Sequence, residues 1–187
     1  MKKSMAQDLD KLKRFGTGQL KTVNGIVGMA EDLVNDYYKL SESQWLRPKY
    51  DVKTLADLSP GEVVHGPFAQ IIRYEGQKKD ALLGSDNFDF YKICLQDHAI
   101  LYVLKASSAL KLSPFVLYIV IHELVHVVRF SKFLQRFDAS SEEKVVEEMR
   151  VHKYTHNILS PLTMAGLPDV FKFYDKWRMP LEELQFP

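Results

Sequence analysis

Apolar and polar positions divide the chain into a helical first third, a middle of strand-like runs and a helical remainder. From Gln19 to Leu40, residues Leu20, Val23, Ile26, Val27, Ala30, Leu33 and Tyr37 recur at helical spacing, which predicts a long amphipathic helix. Gly25 and Gly28 count against it. A shorter helix is predicted near Ala6 to Phe15, and "SESQWLRPKYDVKTLADLSPG" reads as a connector closed by Ser59-Pro60-Gly61. Three runs rich in β-branched and aromatic residues follow: Glu62 to Gly76, broken at Gly66-Pro67; "FDFYKICL"; and, after a turn at Gln96-Asp97-His98, "AILYVLKA". Together they predict an antiparallel meander.

Beyond Ala106 the pattern is helical again. "LSPFVLYIVIHELVHVVRFSKFLQRF" begins with Ser113 as N-cap and Pro114 at the first helical position, and the helix is expected to reach Phe137. "DASSEEKVVEEMRVHKYTHNILSP" opens on a capping box, Ser140 with Glu143, and stops before Pro161. A last helix, Pro168 to Met179, carries Phe171, Phe173, Tyr174 and Trp177.

The chain has 187 residues, 46% of them apolar, and this suits one folded unit. Within it, residues 1–58 would form an N-terminal helical region packed on a domain of residues 59–187. A net charge of +1 creates no field for nucleic acid or a membrane surface. The basic start (Lys2, Lys3, Lys11, Lys13, Arg14) is interleaved with acidic residues, as on a solvated helix face. Cys94 is the only cysteine, which excludes an intrachain disulfide; its apolar setting points to an inert core thiol. No apolar stretch follows the first lysines as in a signal peptide, and the run Pro114 to Ile121 is well short of the ~20 residues of a membrane span. A soluble cytoplasmic protein is therefore expected.

The chemistry lies in "YIVIHELVHVVRF", where His122, Glu123 and His126 interrupt an apolar run. Unpaired titratable groups cost several kcal/mol to bury, so a partner is required. On a helix, residues four apart lie ~40° apart around the axis, so both imidazoles can reach one ion. Glu123, one step round, flanks that ion without ligating it. This is the HExxH arrangement, two histidines for zinc and a glutamate as general base toward the attacking water. The helix is apolar nearly all round, with Val116, Val120, Leu124 and Val127 opposite His122, and should be buried centrally.

A catalytic zinc takes three protein ligands. Projection of the next helix at ~100° per residue puts Glu142 and Glu143 on the solvated face with Arg150, Lys153 and Asn157. Glu147 falls at the boundary. Glu148 falls in the middle of the apolar arc, among Val145, Met149, His152, Thr155 and Leu159, which makes it the expected third ligand and Glu147 the reserve. His152 shares that arc. It could orient Glu148, bond another group behind the ligands or stabilise the developing oxyanion, or it could be a core histidine bonded to the backbone. His156 reads as structural, His65 and His98 as surface or turn histidines, and Arg129, two turns beyond His122, as a partner for an acidic group.

HExxH followed by a glutamate on a later helix resembles the gluzincin branch of the zincin metallopeptidases. The local pattern is similar to the small ImmA/IrrE-type metallopeptidases: in "EMRVHKYTHNILSP", Glu148 to Pro161, Val151, Tyr154, Thr155, Ile158, Leu159 and Pro161 take the places of that family's second motif. His152 stands where the family has asparagine, and Val151 and Thr155 replace small alanines. The resemblance covers Ser113 to Pro161. It implies His122, His126 and Glu148 as zinc ligands and Glu123 as base.

The expected fold is α+β and zincin-like, a small antiparallel sheet over a buried HExxH helix with additional N-terminal helices. The expected activity is zinc-dependent hydrolysis of a peptide or protein substrate, with one Zn2+ per chain and neither nucleic acid nor membrane as partner. Two rivals are a non-catalytic metal-binding regulatory or interaction module and a carboxylate-bridged di-metal protein built on the Glu123-x-x-His126 pair. The di-metal protein would need a second such pair, and Met149 and Lys153 occupy the positions three before His152 and His156.

Overall fold

The longest apolar segment of the chain becomes its axis. In the computed structural model, which describes residues 11–41, 49–77 and 87–178, a 20-residue helix runs from Leu112 to Ser131 with Pro114 to His122 and Leu124 to Arg129 all buried. A helix with no solvated face must be enclosed on every side. Here Glu123 and the two ends of the helix stay partly accessible and the rest is enclosed. By length and composition this helix could cross a membrane, a point the shorter run Pro114 to Ile121 did not bring out, but 83% of its most apolar window is buried against the rest of the protein.

In chain order the helices are α1 (Thr17–Tyr38), α2 (Asp97–Ala106), α3 (Leu112–Ser131), α4 (Ser141–Leu159) and α5 (Leu167–Phe173); the strands are β1 (Lys49–Lys53), β2 (Ala69–Gln77) and β3 (Asn87–Leu95). Short 3-10 turns lie at Leu55–Asp57, Pro60–Glu62 and Asp175–Arg178. The class is α+β. The sheet order is β1-β3-β2, with β2 antiparallel and β1 parallel to β3.

The predicted antiparallel meander is therefore corrected twice. First, the connector hides a strand: "KYDVK" alternates polar and apolar residues, and Tyr50 and Val52 pack on the core while the backbone pairs with Phe90 to Cys94. Second, "AILYVLKA" is helical, in α2. A short run apolar on both faces does not separate helix from strand by period. Its N-terminal residue decided the outcome. Asp97, fully buried at the first turn, accepts the backbone N–H of Phe15 (2.9 Å) and of Leu55 (3.0 Å), tying two earlier segments to the start of α2.

Helix α1 buries Val23, Ile26, Ala30 and Val34 along α3, close to the predicted span. It ends through a left-handed residue, Lys39 (φ 52°), with the Leu40 N–H on the Asn35 carbonyl. Of the shorter predicted helix, residues 6–10 lie outside the described residues, and residues 11–15 are a turn, a bend and irregular backbone that delivers buried Phe15 to Asp97. The Tyr50 hydroxyl donates to Glu31 of α1 (2.6 Å), and β1 completes the sheet.

β3 is the central strand. Tyr91, Ile93 and Leu95 face the core around α3, with Tyr91 stacked on Phe130 at 5.7 Å, and fully buried Cys94 remains a free thiol. Beyond the other face lies the turn Pro60–Glu62. The Glu62 carboxylate accepts the Lys92 ammonium (2.6 Å), the Tyr74 hydroxyl (2.8 Å) and the Ser59 N–H (2.7 Å). Gln96 adds two amide donations, to the carbonyls of Glu62 and Cys94, and accepts the Val64 N–H.

The helix ends also differ from expectation. α3 starts at Leu112 with no side-chain cap and stops at Ser131, six residues before Phe137. The stop is a Schellman turn without its usual glycine: Phe133 is left-handed (φ 55°), the Leu134 N–H bonds the Arg129 carbonyl and the Phe133 N–H bonds that of Phe130. The predicted capping box of α4 is present, with Ser140 Oγ accepting the Glu143 N–H and Glu143 accepting the Ser140 N–H. The last helix is shorter than predicted, α5 followed by the turn to Arg178, and it places Tyr174 flat on Tyr118 at 4.2 Å. It begins at Gly166 (φ 87°), where a Cβ would lie 3.3 Å from the ring of Pro114, so glycine suits both the backbone and the approach to α3.

Burial pushes the Glu62 carboxyl up, but Lys92, Ser59 and Tyr74 outweigh it and hold it down, from an ordinary 4.5 to about 2. A depressed carboxylate contributes stability fully present above its unfolded value and lost as pH falls through the folded one. The stability difference between wild type and Glu62→Gln is therefore expected to be constant above pH ~5 and to shrink between pH ~4.5 and ~2. Thermal unfolding midpoints at stepped pH measure it; a pH-independent difference would contradict the assignment.

Candidate metal centre

His122 and His126 sit one turn apart on α3, and Glu148 comes to them from α4. Their donor atoms face each other: Nε2 of His122 is 3.2 Å from Nε2 of His126, and the two oxygens of Glu148 lie 3.2 Å from the two nitrogens, one each. Each imidazole nitrogen meets its own carboxylate oxygen, while the two nitrogens also face one another, so one ion placed among them could be shared by all three side chains. They are the one group of three such donors found within a common reach among the described residues. Ligands about 2.0–2.1 Å from a tetrahedral ion lie ~3.3 Å from each other, so the donor set fits a divalent metal of zinc's size.

The local electrostatics match this chemistry. Burial would raise the Glu148 carboxyl, but hydrogen bonds and charge from His122 and His126 outweigh it and hold it far below the usual carboxylate range. Burial pushes the His126 imidazole down, while Glu148, Glu123 and Gln135 carry it up on balance. Glu123 is pushed up by burial, with the two imidazoles opposing and Glu148 adding to the rise. It stands outside the three-donor group, on the wall of the same cavity.

That cavity, about 610 Å³, is bordered by Phe68 to Ile71 at the start of β2, by Ile119, His122, Glu123, His126 and Phe130 of α3, by Lys144, Glu148 and His152 of α4, and by Tyr174. β2 is an edge strand, and among the described residues its far side carries no neighbour in the sheet. The site lies where the edge of the sheet, the buried helix and α4 meet.

His152 lines the cavity with its ring 4.3 Å from that of His122, and its Nδ1 is 2.9 Å from the Tyr118 hydroxyl. Tyr118, one turn before His122, is fully buried and stacked on Tyr174. Of the readings open to His152, the core histidine on a backbone carbonyl is replaced at Nδ1 by this phenol contact. His156 packs on Phe171 at 4.4 Å, away from the cavity. His65 and His98 face each other 5.4 Å apart elsewhere in the fold.

The burial expected of the two glutamates is reversed. The Glu148 side chain is 41% exposed and that of Glu147 6%. Glu147 accepts Nε of Arg129, also Nη2 of Arg129 at 3.2 Å, and the guanidinium of Arg150. A helical projection ranks apolar neighbours but cannot show that the arc around Glu148 borders a cavity rather than packed core. Nor could it show that Glu147 is drawn under by Arg129, whose guanidinium also lies 5.5 Å over the Tyr154 ring. Arg129 does pair with an acid, and that acid is Glu147.

Gln135 was not singled out by its sequence. It sits on the loop after α3, and its Oε1 lies 3.0 Å from Nδ1 of His126. The only signal was its distance from the histidine, nine residues, which has meaning only once α3 is known to end early. Nδ1 of His122 is buried with no partner among the described protein atoms. No protein-family model, curated protein or solved structure matches this chain.

Arg129 and Glu147 are both nearly inaccessible, so removal of one partner strands the other charge. Glu147→Gln is expected to lower unfolding free energy by about 3–5 kcal/mol, whereas the double variant Arg129→Met/Glu147→Leu recovers most of it. Urea unfolding of the single and double variants measures this. Equal losses in both would mean that the pair is not an isolated charge balance.

Proposed function

We propose that this chain is a zinc-dependent peptide hydrolase of the zincin type. The observation that carries the reading is the convergence of His122, His126 and Glu148 on one point, with the Glu123 carboxyl opening into the same cavity. Two imidazoles and a carboxylate suit zinc and leave a fourth position for water. When bound there, a divalent ion would polarise a scissile carbonyl and acidify the attacking water.

The remaining work falls to the chain's own groups. Glu123 takes the proton of the attacking water and hands it to the leaving amine; burial raises the proton affinity of its carboxylate, which suits a base. His152, whose Nδ1 meets the Tyr118 hydroxyl, lines the same cavity and is the group assigned to developing negative charge on the carbonyl oxygen. The edge strand β2 borders the cavity from Ala69 to Ile71, so an extended peptide could lie along it through main-chain hydrogen bonds. Phe68, Ile119 and Phe130 offer apolar contacts for its side chains.

Metal analysis of the purified chain is expected to give about one divalent ion, lost on His122→Ala or His126→Ala and weakened by Glu148→Gln. Glu123→Gln is expected to keep the metal and lose ~100-fold or more of the hydrolysis of a quenched peptide library. Full metal content in the His122→Ala/His126→Ala variant would sink the site. Metal binding with no turnover of any peptide would favour the non-catalytic module instead.

A further inference from the structure

We infer that Gln135 is a positioning residue for His126, so that the loop between α3 and α4 is a working part of the metal centre; this rests on the metal-binding reading above. A neutral imidazole has one lone pair and one N–H. If the proton sits on Nε2, the nitrogen facing His122 and Glu148 cannot ligate. With Oε1 of Gln135 3.0 Å from Nδ1, a proton on Nδ1 has an acceptor, which favours the tautomer whose Nε2 lone pair is free for an ion shared with Glu148 and His122. Among the described residues His122 has no such support: its own Nδ1 is buried without a partner there. Control of the donor set therefore falls on His126.

The loop is built to keep Gln135 in place. On one side, the Leu134 N–H bonds the Arg129 carbonyl (2.9 Å) and Nη2 of Arg129 donates to the Leu134 carbonyl (3.4 Å). Arg129 is itself held by Glu147, the neighbour of Glu148. On the other side, Phe137 packs on Phe130 at 5.2 Å, and the Arg73 guanidinium lies 5.4 Å over its ring. Phe133 shows the strain that this placement costs. It is left-handed at φ 55°, a conformation that disfavours a side chain with a Cβ, and it is 93% exposed, so its own burial returns nothing. The early reversal of the chain at Phe133 is what brings the second residue after it onto the ring of His126. One buried arginine thus sets both the loop that holds His126 and the helix that delivers Glu148.

The test compares wild type with Gln135→Ala and Gln135→Glu in the full chain. Zinc affinity is read by competition with a chromophoric chelator, and His126 by 15N–1H correlation spectra of the metal-free protein. Gln135→Ala is expected to bind zinc about 10–100-fold more weakly. It should also lose the exchange-protected Nδ1–H signal of His126, with its unfolding midpoint close to that of wild type. Gln135→Glu restores the acceptor and is expected to recover both the signal and the affinity. Wild-type affinity and an unchanged Nδ1–H signal in Gln135→Ala, while His126→Ala loses the metal, would overturn the inference. If wild type itself binds no zinc, the functional reading falls, and the Nδ1–H signal of the metal-free chain decides the role of Gln135 alone.

Discussion

The helix Leu112–Ser131 has no face for water, and the rest of the molecule is arranged to enclose it. α1, the sheet, α4 and the segment from Leu167 to Tyr174 each cover part of its surface, and each fully buried leucine, isoleucine or phenylalanine contributes roughly 1.5–3 kcal/mol. Such a helix can carry polar groups only where something else compensates them. Three of its buried residues are polar, His122, His126 and Arg129, and all three lie in its C-terminal half. Their charged partners come from α4, where Glu147 meets Arg129 and Glu148 meets the two histidines, and the loop after α3 adds Leu134 and Gln135.

Adjacent glutamates point in different directions from α4, and this gives the two pairs different consequences. The Glu147–Arg129 pair is nearly inaccessible, and Arg150 joins Glu147 from the more exposed side. The Glu148–histidine group is open to a cavity, with three donor atoms converging and no cation of the protein between them. The two groups are linked: Arg129 also donates to the Leu134 carbonyl, next to the Gln135 that meets His126. Glu123 and His152 then face the cavity from the two helices so joined.

Much of the site was legible because it depends on helical period alone. His122 and His126 four apart on an apolar helix must project together, and the glutamate one step on must lie beside them. The choice of Glu148 over Glu147 came from the same period, although the burial expected of the two was the wrong way round. A projection counts neighbours on its own helix and knows nothing of an arginine on another. The strand-like reading of residues 99–106 had a similar cause: apolar residues on both faces fit either period, and buried Asp97, which receives N–H groups from residues 82 and 42 positions earlier, settled the matter. β1 carried a weak alternation in "KYDVK", but parallel pairing with β3 is a long-range event that five residues do not announce.

The sequence by itself determined the positions of the long helices, the central burial of α3, and which residues on it could hold a metal, because these follow from spacing and hydrophobicity within one segment. Tertiary structure alone decided the mixed order of the sheet, the early end of α3 at a left-handed phenylalanine, the burial of Glu147 and the arrival of Gln135 at His126. Each of those depends on a contact between residues whose preferences are satisfied only by one another. Local pattern records what a segment can do. The neighbour that makes it do so is recorded only in the fold.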